Sequence, residues 1–129
     1  MLLQAAREKL RVLARAQTSV ELGPVGFAAV VTETCQAYRD LIAHPEVLAA
    51  LKSEIELLAR NGPGARRIYA ALLLRQIDHA AGTAQLESMS DSNEPCDLAL
   101  GGCTVMSSSV ADAVAHLLGQ PPRRAPGTS

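Results

Sequence analysis

Leu3, Ala6, Leu10, Leu13 and Ala14 recur in steps of three and four, while Arg7, Glu8, Arg11 and Arg15 take the positions between them. That period is helical, and it predicts an amphipathic first helix over Leu2–Gln17. The stretch Thr18–Gly26 holds Gly23, Pro24 and Gly26 and is expected to be a connection. A second stripe follows in Phe27, Val30, Val31, Thr34, Cys35, Tyr38, Leu41 and Ile42. It stops at His44-Pro45, because the residue before a proline is pushed out of the helical region. Pro45 suits the first turn of a third helix, with Val47, Leu48, Leu51, Ile55 and Leu58 inside and Lys52, Glu54, Glu56 and Arg60 outside.

Asn61-Gly62-Pro63-Gly64 ends that helix and opens a fourth, expected over Pro63–Ile77. Ile68, Ala71, Leu72 and Leu74 make it so dense in apolar residues that it should be the most buried element. Asp78 is a good N-cap for a fifth helix over His79–Met89. Ser90–Pro95 is turn chemistry throughout. Leu98, Leu100, Thr104, Val105 and Met106 have strand character interrupted by Gly101-Gly102, but a lone hairpin is only marginally stable. Cys96–Ser107 is therefore expected to be an ordered loop packed on helices. Ser109 with Asp112 three residues later resembles a capping box for a sixth helix, Val110–Leu118, closed by Gly119. Gln120–Ser129, with Pro121, Pro122 and Pro126, is expected to be a disordered C-terminal tail. The fold class is thus all-α: a compact antiparallel bundle of five or six helices forming one domain over residues 1–119.

Within Pro45–Pro95, two units are offset by about thirty residues. Ile55–Arg60 leads into Asn61-Gly62-Pro63-Gly64-Ala65-Arg66-Arg67 and the apolar run Ile68–Leu74. Ala84–Met89 leads into Asp91-Ser92-Asn93-Glu94-Pro95. This resembles the HEAT-type helical repeat, in which one helix ends in a polar Asp/Pro turn and the next opens with an Arg before Ala- and Leu-rich turns. The resemblance covers about half the chain. After Pro95 the second unit continues into Cys96–Ser107 instead of an Arg-led helix, so a compact HEAT-like bundle is expected rather than a regular solenoid. The resemblance implies a protein-binding scaffold rather than a catalyst.

Composition narrows the partners. Hydrophobic residues make up 48% of the 129 positions and aromatics only 2%, so the core must be aliphatic. Phe27, Tyr38 and Tyr69 are the whole aromatic set, which leaves no stacking platform for bases. A net charge of −1 supplies no global field to attract a polyanion. No run approaches the roughly 18 apolar residues of a membrane span. Charges from Arg7 onward break the apolar region a signal peptide needs. Cys35, Cys96 and Cys103 are an odd set, unsuited to a secreted disulfide framework. The expectation is a cytoplasmic protein with a protein partner, no nucleic acid and no membrane, and with a homo-oligomer left open.

Three groupings could carry chemistry. Arg66, Arg67 and Arg75 form the most specific surface feature, since Arg67 and Arg75 lie two helical turns apart. They are expected to pair with Asp40, Asp78 or Glu46, or otherwise to meet an anion or an acidic partner. Cys96 and Cys103 have six residues between them, yet zinc pairs are usually closer and a second pair is missing. Ser107, Ser108, Ser109, Asp112 and His116 include the residue types of a nucleophilic triad, but no nucleophile-elbow motif frames them. Capping by Ser109 accounts for that cluster. The function expected is a non-catalytic helical interaction module, a scaffold or regulatory subunit, with no cofactor and no metal. The alternative is a small-ligand-binding protein or enzyme with its site in 96–116, built on Cys96, Cys103, Asp112 and His116.

Overall fold

The computed structural model describes residues 1–23, 31–101 and 104–119. The first helical stripe forms α1 (Leu3–Ala14), with Ala6, Leu10 and Leu13 buried. The short strand β1 (Ser19–Glu21) follows, inside the segment expected to be a plain connection. Next come α2 (Glu33–Ile42), α3 (Pro45–Ala50), α4 (Lys52–Arg60), α5 (Gly64–Ile77) and α6 (His79–Glu87). The chain then makes β2 (Pro95–Gly101) and β3 (Thr104–Ser109), and closes with α7 (Val110–Leu117). The molecule is mostly helical, and the described residues hold seven helices rather than five or six.

The extra helix arises where the sequence predicts one continuous third helix. At Leu51 the backbone leaves the helical region (φ −103°, ψ 13°). Leu48, Leu51 and Ile55 all have zero exposure, so the inner face predicted for one helix is kept across the interruption. In α2, Thr32 is the N-cap, its hydroxyl accepting from the Cys35 N–H at 3.2 Å. The predicted earlier turns of that helix, through Phe27 and Val30, lie outside the described residues, as does the tail 120–129. Asp78 and Ser109 cap α6 and α7 as expected, accepting from the N–H groups of Ala81 and Asp112, each at 3.1 Å.

The segment Cys96–Ser107 corrects the expectation of a loop. β2 and β3 are antiparallel, and β1 adds to the far edge of β2 in parallel, giving the order β1-β2-β3. A two-stranded hairpin is marginal alone, whereas a third strand and a helical layer beneath it supply the missing burial. Here the layer is α5 and α7, and Val20, Cys96 and Leu98 join the core.

α5 is the centre of the fold, as its composition predicts. It packs against α1, α2, α3, α4, α6, α7 and the first two strands. Nine of its residues are buried, on every side of the helix. Its start is set by a positive-φ glycine, Gly62 at +92°, a conformation that favours glycine over any side-chain-bearing residue. The Glu94 carboxylate accepts the Gly64 N–H at 2.5 Å and so caps α5 from thirty residues away. The Glu94 carbonyl also accepts the Val110 N–H, tying the starts of α5 and α7 together. Among the described residues no helix is long and apolar enough to cross a membrane.

Candidate functional site

The three arginines do not converge. Arg66 and Arg75 are nine residues apart on α5, a rise of about 13 Å. Arg66 is used internally: its Nη1 donates to the Ala14 carbonyl at 3.3 Å and its Nε to the Asn61 carbonyl at 3.2 Å. It thereby satisfies carbonyls that the ends of α1 and α4 leave without helical partners. Arg67 is half-buried, and its Nε makes no hydrogen bond. Arg75 Nη2 lies 3.0 Å from His79 Nε2, one turn beyond. Of the three acids expected to pair with this trio, two are taken elsewhere, Asp40 by Lys9 at 2.9 Å and Asp78 by Lys52 at 3.5 Å. The Lys9 ammonium and the Gln36 amide hold the Asp40 carboxyl below its ordinary value.

In the alternative grouping, Cys103 lies outside the described residues. Cys96 is buried on β2 opposite Ser108. Burial first, and then the neighbouring charges of Asp97 and Glu94, push its thiol up to about 11. The thiolate is the reactive form of cysteine, so this residue is held in its inert state at neutral pH. Ser109 is spent on capping, and His116 is exposed near the end of α7. Among the described residues no group of His, Cys, Asp and Glu is placed to hold a metal ion.

The tyrosines are structural. Tyr38 and Tyr69 meet in a tilted ring contact, with centroids 5.9 Å apart and planes at 48°. The Tyr69 hydroxyl accepts the Glu21 N–H at 2.6 Å and donates to the Glu21 carbonyl at 3.2 Å, pinning β1 onto α5. Burial raises this phenol to about 12. A raised folded-state value means that the protonated form is favoured by folding. Stability should therefore be unaffected by Tyr69 below about 10 and be lost as pH rises towards 12, with Cys96 acting likewise from 9 towards 11. Urea midpoints measured from neutral to alkaline pH check this, and Tyr69→Phe should remove its share of the slope. Cys96 should in turn alkylate far more slowly than a free thiol in the native protein at neutral pH.

Two surface depressions flank α1. Between α1 and α2 lies a cleft of about 460 Å³ with mixed lining, including Val12, Val31, Gln36 and the Lys9–Asp40 pair. Between α1 and α4 lies a groove of about 170 Å³ lined by Arg7, Leu10, Arg11, Ala14, Glu54 and Leu58. Its floor is aliphatic and its walls are charged. Arg7 is held there by Glu54, with Nη2 3.0 Å from the carboxylate. Leu57, beside Leu58 on α4, is 62% exposed, and Leu2 and Leu3 are exposed at the start of α1. Arg66 closes one end, since its two acceptors belong to the ends of α1 and α4.

Sequence reasoning missed this groove. Arg7, Arg11 and Arg15 recur at four-residue spacing, which signals one helical stripe, but that stripe reads equally well as ordinary solvated surface. Only the placement of α4 beside α1 reveals that Arg7 and Arg11 line a groove together with Leu10 and Leu58. Compared with family models, with curated proteins and with solved structures, the chain matches none.

Proposed function

We propose that this protein is a non-catalytic helical interaction module that binds another protein through the side formed by α1 and α4. The observation that carries this reading is the groove itself, with an aliphatic floor and charged walls. Leu10, Ala14 and Leu58 floor the groove, and Leu3 on α1 and Leu57 on α4 are exposed on the two helices that form it. Contiguous apolar surface rimmed by charge is characteristic of protein-binding faces. Two of the groups with chemical potential elsewhere are committed to the fold, Cys96 in the core and Ser109 at a cap. The HEAT-like pairing of the α4 and α5 helices across Asn61–Pro63 supports the same reading by analogy of form.

A photoreactive residue placed singly at Leu3, Leu57 and, as a remote control on α6, Ala84 tests it in extract of the cells that express the protein. A discrete light-dependent protein adduct is expected from Leu3 or Leu57 and not from Ala84. The absence of an adduct from every position would overturn the reading, and an adduct from Ala84 alone would move the face to α6.

A further inference from the structure

Resting on that reading of the α1–α4 face, we infer that the groove takes an acidic amphipathic helix of a partner protein, seated with its apolar stripe on Leu10, Ala14 and Leu58. Size excludes a small-molecule site, since about 170 Å³ is well below the roughly 300–1,000 Å³ typical of such pockets. A depression of that size seats one or two aliphatic anchors projecting from something larger. The walls of the groove are themselves helices, and a third helix laid along two others is the usual way to fill such a trough.

Charge decides the partner's sign. Of the charged side chains lining the groove, Arg7 and Glu54 neutralise each other, leaving Arg11. Arg15 continues the same stripe one turn on, its Nε resting on the Arg11 carbonyl at 3.4 Å, and both residues are exposed. Arg66 adds a third guanidinium at the end where α1 and α4 meet. The rim is thus positive beyond its internal pair, although the whole chain carries −1. Acidic residues flanking an apolar stripe complement this rim, while basic ones meet like charge. Such complementarity sets specificity and rate of encounter more than it sets raw affinity.

The probe is a fluorescein-labelled designed peptide of about five helical turns. It carries leucines at i, i+3, i+4 and i+7, with glutamates at the remaining positions. A second peptide keeps the leucines and replaces every glutamate with lysine. Anisotropy titrations should show saturable binding of the acidic peptide and at least about tenfold weaker binding of the basic one. Arg11→Glu should weaken the acidic peptide about tenfold and Leu58→Ala severalfold, while Arg39→Glu on the exposed side of α2 leaves it unchanged. Amide shifts in the full chain should map to the lining residues of α1 and α4. Equal binding of both peptides, no binding of either, equal loss from Arg11→Glu and Arg39→Glu, or shifts confined to other elements would each overturn the inference. Circular dichroism of each variant separates lost binding from lost fold. If the photo-adduct at Leu57 forms while the acidic peptide fails, this inference falls and the interaction module stands.

Discussion

Replacing Gly82 with alanine is expected to destabilise the protein by about 3 kcal/mol, towards the upper end of the range for overpacking a close contact. Local propensity predicts the opposite sign, because alanine in a helix is better than glycine by about 1 kcal/mol. The reversal comes from the crossing of α5 and α6. A Cβ at position 82 would lie 2.4 Å from the Arg75 backbone nitrogen and 2.7 Å from the Ala71 carbonyl oxygen. Both are main-chain atoms of α5, so no rotamer change relieves the clash and α6 must move away. Separation would loosen Leu86, which has no exposure at all. A denaturation midpoint equal to that of the natural chain, or above it, would show that the two helices are not in backbone contact.

Leu73→Ala should cost about 2 to 5 kcal/mol, the range for truncating a leucine in a packed interior. Leu73 is fully buried on α5, and Leu72 beside it retains 7% exposure. The cavity at position 73 cannot be filled by solvent-side relaxation, so its cost should exceed that of Leu72→Ala. Chemical denaturation of the two single variants checks both the magnitude and the order. Equal, small losses below about half a kcal/mol would place α5 at the periphery instead of at the centre. A third result with the same logic concerns Glu94→Gln, which should cost about 1 kcal/mol through the loss of a charged cap at the start of α5.

Much of the fold was legible because it is local. The three- and four-residue steps of α1, the caps at Asp78 and Ser109 and the Asn61-Gly62-Pro63 turn are short-range relations that a linear chain displays directly. The dense apolar run of α5 likewise foretold a central helix. The mostly helical character and the aliphatic core are therefore properties of the sequence itself.

What the sequence does not display is who lies beside whom. β1 is three residues long, and its partner β2 begins more than seventy residues later, so no local pattern announces the pair. Once Tyr69 fixes the Glu21 backbone on α5, β2 gains a second neighbour, and Cys96–Ser107 becomes sheet rather than loop. Leu51 ends one helix and begins another, a break that the continuous inner face Leu48, Leu51 and Ile55 does not announce. The same division holds for the candidate site. The sequence determined that Arg7, Arg11 and Arg15 share a stripe, and that Glu54 and Leu58 share another. The tertiary structure alone laid the two stripes side by side, because each helix had to bury its other face against α5 and the rest of the core. Burial satisfied the inner faces, and the groove is what their packing left outside.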